Sequence, residues 1–390
     1  MKNSRRSAID PFIVMDVVAA AADAEAAGRE IKHLEVGQPG TPAPAAARAA
    51  LAAALEDSPL GYTVALGQPD LRAGIADLYR RWYGLDIDPA RVIVTAGASG
   101  AFLLAFNALF DSGARVGVAE PGYPSYRQIL RALGQTPVPV PTRAQAQHRM
   151  RPADLPDAPL DGLIVASPNN PTGTILPMDD LAAMVAACAD RGVSFISDEI
   201  YHGLHYDGRA ASALEVSDDV YVINSFSKYF SMTGWRVGWM VVPPDHVRVV
   251  ERLAQNMFIC APHASQIVAR AALDCAAELE ANRAVYAENR RLLMAGLPEA
   301  GFEVLSPPDG ALYVYAGLSD WKQDSRSLAA DILAEAGVAV TPGLDFDPVR
   351  GGGTLRFSYA ASTVDIAEAL ARLQAFAAAR GVNSPRLTGS

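Results

Sequence analysis

Short apolar runs alternate with longer alanine- and leucine-rich stretches through the middle of the chain. Between about residues 90 and 230 the runs are RVIVTA (91–96), ARVGVAE (114–120), GLIVAS (162–167), GVSFISD (192–198) and VYVINSF (220–226), each ending in polar residues or glycine. Strand-length apolar runs separated by stretches of helical length predict a parallel sheet wrapped by helices. Ahead of them, Asp16 to Ala27 reads as a helix closed by Gly28, and LEVGQPG as a short strand running into a turn. After about residue 275 the pattern is helical again through Arg291, then gives strands at FEVL, ALYVYA and TLRFSYA around a helix near 326–337. The expected fold class is α/β: a large domain with a mostly parallel sheet, plus a smaller α+β domain. The expected units are an N-terminal arm (1–45) packing with the small domain, a large domain (46–275) and a small C-terminal domain (276–390).

Length supports this division, since 390 residues exceed one ordinary core at about 150 residues per domain. Half the residues are hydrophobic and 19% charged, which excludes a charge-rich disordered chain. A formal charge of -10 gives no footprint for a nucleic-acid partner. The three cysteines, Cys188, Cys260 and Cys275, are odd in number and widely spaced, so they read as reduced cytoplasmic thiols, not as a disulfide framework. Asp10 and Pro11 stand where a signal peptide needs an apolar run, and Phe12 to Ala22 is broken by Asp16 and too short to span a bilayer. No membrane partner is expected.

In open parallel sheets ligands bind outside the carboxyl ends of the strands, and here five strand exits carry candidate chemistry. SFSKYFSMTGWRVGW places Lys228 among Ser225, Ser227 and Arg236. A lysine that condenses with a carbonyl must lose its proton readily, which burial and a nearby cation favour, while the serines and arginine offer donors to a phosphate dianion. A lone lysine is otherwise a solvated surface charge. GVSFISDEIY ends in Asp198, with Tyr201 three residues on; the carboxylate could pair with a pyridinium nitrogen or merely cap a helix. ASPNNPTG puts Asn170 in a proline-rich turn, where its amide could donate to a phenolic oxygen that Tyr201 also addresses, or serve only the turn. TAGASGAF is a glycine-rich turn entering a helix, suited to phosphate or to a plain helix start. EPGYPSY offers Tyr123 as a face for a flat ring or as core. His202 and His205 lack the frame of a metal site, and Gly351 to Gly353 reads as a turn.

In combination LEVGQPG, GYTVALGQPDLR, TAGASG, EPGYPSY, SPNNPTG, SDEIY, SFSKYFSMTGWRVGW and TLRFSYA resemble, across nearly the whole chain, the class I/II aminotransferases among the fold-type I pyridoxal-phosphate (PLP) enzymes. The resemblance implies a PLP-transferase-like large domain and PLP as cofactor. It implies transfer of an amino group from an L-α-amino acid to a 2-oxo acid, through a Lys228 Schiff base and pyridoxamine phosphate. It further implies Asp198 on the pyridine nitrogen, Asn170 and Tyr201 on the phenolic oxygen, and Tyr123 stacked on the ring. Ala98, Ser99, Gly100, Ser225, Ser227 and Arg236 would surround the phosphate. Arg356 would clamp the substrate carboxylate, with Gly37 and Asn170 beside it. Tyr62 would reach the phosphate of a second subunit, which implies a homodimer. A lyase or decarboxylase on the same fold is the alternative; a PLP-sensing regulatory domain is another, although no basic DNA-reading module precedes residue 90. Phe12, Val14, Phe258 and Ile259 either shape a pocket for an apolar or small side chain or belong to the core.

Overall fold

The computed structural model describes residues 1–382. Seven strands form the central sheet: β1 (Val92–Thr95), β2 (Arg115–Glu120), β3 (Thr136–Pro141), β4 (Gly162–Ala166), β5 (Ser194–Asp198), β6 (Tyr221–Ser225) and β7 (Gly238–Val241). Their order is β1-β7-β6-β5-β4-β2-β3. Only β7 runs against its neighbours, β1 and β6; the remaining pairs are parallel.

The five apolar runs became β1, β2, β4, β5 and β6, and the sheet holds two strands more than expected. β3 is TPVPVP, whose three prolines lack the N–H that a central strand must donate. It lies at the sheet edge, paired with β2 alone, where only one side needs a ladder. β7, GWMV, begins in the last two residues of the Lys228 segment and runs past its end, a four-residue strand directly after a motif rich in polar residues.

Both faces of the sheet are covered, which is why its strands read as continuous apolar runs. Helices α2 (Gly97–Leu109) and α5 (Val247–Met257) cover one face, Phe102, Phe106 and Val250 meeting Ile196 and Ile223. Helix α4 (Met178–Asp190) covers the other, where Leu181 and Met184 join Phe195 and Val222 in a second cluster. Adjacent residues of one strand thus face opposite layers, as the pleat requires. Each such side chain, fully buried, contributes about 1.5–3 kcal/mol.

A second, antiparallel sheet contains β8 (Glu303–Val304), β9 (Tyr313–Gly317), β10 (Thr341–Pro342) and β11 (Thr354–Ser358), in the order β10-β11-β9-β8. Helices α6 (Ala276–Glu299) and α7 (Thr363–Ala379) supply Leu293, Leu297, Leu370 and Leu373 to the cluster that includes Phe357 of β11. The arm helix α1 spans Ile13–Ala26, close to the expected bounds, with Gly28 just past it at φ +85°. The short strand that follows is Lys32–His33, one step earlier than LEVGQPG, and it pairs in parallel with Val338–Ala339. The helix expected near 326–337 is an α-helix over Ser325–Asp331 continued by a π turn over Ile332–Ala336. No helix among the described residues is long and apolar enough to cross a membrane.

Because β1, β2, β4, β5 and β6 share one direction, their carboxyl ends open on one side of the sheet. The chemistry gathers there.

Candidate active site

Gly37, Ala98, Ser99, Tyr123, Asn170, Asp198, Tyr201, Ser227, Lys228, Arg236 and Arg356 line one cavity of about 240 Å³ at these strand exits. Three expected residues do not line it. Gly100 is buried one step further along α2. Ser225 lies behind the wall, its one hydroxyl proton within reach of Ser227 Oγ at 2.9 Å and of the Val237 carbonyl at 3.3 Å. Tyr62 stands outside, 83% exposed. Of the four apolar candidates Phe12 and Val14 line the cavity, whereas Phe258 and Ile259 do not, Ile259 being 49% exposed.

Lys228 follows the exit of β6 and donates from Nζ to the Gly37 carbonyl at 2.7 Å. Burial pushes its amine below the ordinary lysine range, with Arg356 and Arg236 adding to the effect against the opposing pull of Tyr313 and Asp198. Such an amine gives up its proton more readily than an exposed one. Asp198 ends β5, and one of its oxygens accepts from the Ile200 N–H at 3.0 Å. The other accepts from the Tyr126 hydroxyl. Burial pushes this carboxyl up to about 6, opposed by Tyr126, Ile200 and Lys228.

At the far wall Arg356, on β11, donates from Nη1 to Asn170 Oδ1 at 2.9 Å and from Nη2 to the Glu35 carbonyl and, at 3.3 Å, to Thr341 Oγ1. Its guanidinium carbon lies 4.1 Å from the Tyr313 ring centre and 4.7 Å from that of Phe346. Its Nε is buried without a partner, and the side chain makes no ion pair among the described residues. A cation so placed between rings holds donors in reserve for an anion. Tyr201 and Tyr313 share a hydrogen bond at 2.9 Å between their hydroxyls. Gly37 accommodates that pair, because a Cβ there would fall 1.6 Å from the Tyr313 hydroxyl oxygen.

The opposite corner holds the start of α2, whose first N–H groups have no partner within the helix. Ser99, Ser227 and Arg236 stand beside it. Arg236 donates from Nη1 to the Thr233 carbonyl at 2.9 Å and to Ser227 Oγ at 3.5 Å, and has no carboxylate partner among the described residues. A Cβ on Gly97 would lie 2.6 Å from Arg236 Nη2, so glycine lets the guanidinium approach the helix end.

Tyr126 and Tyr313 were not singled out from the sequence. Tyr126 stands in EPGYPSY three residues after Tyr123, a spacing that places both at the start of α3 (Pro124–Leu133). Tyr313 carried no signal beyond a strand aromatic. His202 is a structural residue: Nε2 donates to the Ser167 carbonyl at 2.8 Å, Nδ1 meets the Tyr83 hydroxyl, and burial pushes its pKa down to about 3. No group able to hold a metal ion exists among the described residues. Gly351–Gly353 forms a short 3₁₀ turn leading into β11.

A buried amine, a buried carboxylate and two arginines without acidic partners, gathered at the exits of a mixed sheet, can hold two anionic groups side by side with a nucleophilic amine between them. The model of the family "Aminotransferase class I and II" matches residues 30–373, and the chain belongs to that PLP-dependent family of transaminases. It is 48% identical over 376 residues to the valine–pyruvate aminotransferase of Mycobacterium tuberculosis, covering 94% of this chain and 96% of the relative. The crystal structure of a Silicibacter pomeroyi protein proposed to be an aminotransferase shares 63% identity at a TM-score of 0.93, over 97% of this chain and 100% of that one. The aspartate aminotransferase of Thermus thermophilus, solved with maleate, is 31% identical at a TM-score of 0.90, over 96% and 99%.

The cavity fits PLP. Lys228 would offer the amine for its aldehyde and Asp198 the carboxylate for its ring nitrogen. The α2 start with Ser227 and Arg236 would offer donors for its phosphate, and the unpartnered Arg356 Nε is a donor still unused.

Proposed function

We propose that this transaminase takes the amino group of an L-α-amino acid with an apolar side chain and passes it to a small 2-oxo acid, with Lys228 as the proton-moving base. The wall of the cavity carries the donor class: Phe12, Val14, Met15, Val36, Phe102 and Ile129 form its apolar part. Its three cations are spoken for, Lys228 at the substrate Cα, Arg236 at the phosphate and Arg356 at the α-carboxylate. No fourth cation lines the cavity to meet a second carboxylate. Similarity to a valine–pyruvate aminotransferase at 48% identity supports the same reading.

PLP, when bound, supplies an aldehyde for the substrate amine and a protonated ring that draws electrons from Cα. Arg356 and the Gly37 backbone orient the substrate so that the Cα proton faces Lys228. Lys228 would take that proton from Cα and return it at the cofactor's aldehyde carbon, two atoms away. Asp198, held by Tyr126 and the Ile200 N–H, keeps the ring nitrogen protonated. Asn170 and Tyr201 address the phenolic oxygen, and Tyr123 covers the ring. Ala98 and Ser99, with Gly100 behind them, present N–H groups to the phosphate, and Ser225 orients Ser227.

The same reading includes a homodimer in which Tyr62 reaches the phosphate site of a second copy. Gly61 accepts a hydrogen bond from His263 at 2.8 Å, which brings the exposed Tyr62 near segment 257–263, where Met257 and Ile259 are exposed as well. Large apolar side chains exposed together favour a partner surface. We also take arm 1–45 and segment 276–382 as the unit that carries Arg356, the expected end at 390 lying outside the described residues, supported by the pairing of Lys32–His33 with Val338–Ala339. A cytoplasmic setting agrees with three unpaired cysteines.

The test is the visible spectrum of the holoenzyme with valine, leucine, alanine or aspartate, followed by pyruvate. Bleaching by the apolar donors and recovery with pyruvate is expected. Faster bleaching by aspartate than by any of them would reject the donor class. Release of pyruvate and ammonia from a single substrate would move the assignment to a lyase.

A further inference from the structure

We propose that Asp345 is a positioning residue that sets donor side-chain selectivity without touching the substrate, an inference that rests on the apolar-donor reading above. α1 begins at Ile13, and the residue before it, Phe12, has no side-chain acceptor to cap the helix. The first N–H groups of a helix need partners from outside it. Asp345 provides them from the segment between β10 and β11: Ile13 N–H donates to Oδ1 at 3.1 Å and Val14 N–H to Oδ2 at 3.2 Å. The carboxylate is 3% exposed and faces the positive end of the helix.

What Asp345 holds is the wall of the cavity, since Phe12, Val14 and Met15 line it. What holds Asp345 is the rest of the site. Arg127 donates to its carbonyl at 2.8 Å and to that of Phe346 at 3.2 Å, and the Phe346 ring lies 4.7 Å from the Arg356 guanidinium. One residue therefore keeps the side-chain wall in register with the carboxylate clamp. A wall that loosens loses contacts to a branched aliphatic side chain, and loses little against a single methyl group.

The test compares kcat/KM for leucine and alanine in the wild-type holoenzyme, Asp345→Ala, Phe12→Ala and the double variant. In Asp345→Ala the leucine-to-alanine ratio is expected to fall about fivefold, within the roughly 2- to 30-fold that the loss of a helix cap spans. The absorption of the bound cofactor is expected to stay unchanged. On the Phe12→Ala background Asp345→Ala is expected to change the ratio by less than about twofold, because both act through the same wall. Equal losses for the two donors, or fully additive effects in the double variant, would overturn the proposal. If Phe12→Ala leaves the ratio untouched, the apolar-donor reading itself fails. If Phe12→Ala lowers it and Asp345→Ala does not, only the role of Asp345 fails. Should Asp345→Ala not fold, Asp345→Asn keeps one acceptor oxygen and is expected to give an intermediate ratio; a wild-type ratio in that variant overturns the proposal.

Discussion

Arg356 and Asn170 are joined by a hydrogen bond of 2.9 Å from Nη1 to Oδ1, so the residue proposed to clamp the substrate also orients one proposed to face the cofactor. A guanidinium only donates, so Asn170 must turn its oxygen toward Arg356 and its NH₂ away from it. That leaves the amide hydrogens for the phenolic oxygen. Asn170→Ala is expected to remove both effects, raising KM for the amino donor and shifting the absorption of the bound cofactor. The loss in kcat/KM is expected at about 10- to 100-fold, the range for a hydrogen bond to a charged group. Steady-state kinetics with an unchanged kcat/KM would reject this coupling.

Gly37 and Tyr313 interact through the absence of a side chain. A Cβ on Gly37 would lie 1.6 Å from the Tyr313 hydroxyl oxygen and 2.3 Å from Cζ, so the clash reaches the ring itself. Gly37→Ala is expected to displace Tyr313 and with it the hydrogen bond to Tyr201, lowering kcat/KM by about 100-fold or more, as misplacement in an active site does. Tyr313→Phe in the same chain is expected not to restore activity, because Cζ remains. Recovery in the double variant would show that the hydroxyl alone sets the limit.

Lys228→Ala removes the proposed base and leaves the phosphate corner in place. Turnover is expected to fall by at least about 10²- to 10⁴-fold, the contribution of a positioned base. PLP is expected to remain bound through Ser227, Arg236 and the start of α2, as equilibrium dialysis would report. Wild-type turnover in this variant is incompatible with the assignment.

The fold was legible where local pattern and tertiary role agree. Strands β4, β5 and β6 are buried on both faces, so their runs needed no partner to be recognised. β3 was not legible, because prolines mark it as irregular until the sheet edge is known. Most of the residues that line the cavity opposite Arg356 sit in short motifs at strand exits and could be named from sequence. The residues that hold them in place could not: Tyr126 meets Asp198 across 72 positions, Tyr313 meets Tyr201 across 112, and Asp345 meets Ile13 across 332. Nothing local records such pairs. Gly100 and Ser225 belong to the same motifs but stand one layer behind the residues that line the cavity, a placement that packing sets and the motif does not record.

Glu199 gives a pH dependence separate from the chemistry. It is buried beside Asp198, with Oε1 accepting from Ser197 Oγ and Ser212 Oγ at 3.0 Å and from the Ala213 N–H at 2.8 Å. Oε2 has no donor and lies 3.5 Å from Nδ1 of the neutral His202. Burial pushes the carboxyl up to about 8 against those three donors, with the charge of Asp198 adding. The folded protein therefore binds a proton that the unfolded chain releases above its ordinary value of 4.5. The stability this group contributes is whole below about pH 4.5, declines as pH rises, and is gone above about 8. Glu199→Gln keeps the shape and stays neutral throughout. Its Tm relative to wild type is expected to rise between pH 5 and pH 9 by roughly 5 °C, from a few kcal/mol of linkage. Calorimetry showing a constant difference across that range would mean that Glu199 is already ionised in the folded protein, with His202 carrying the compensating proton.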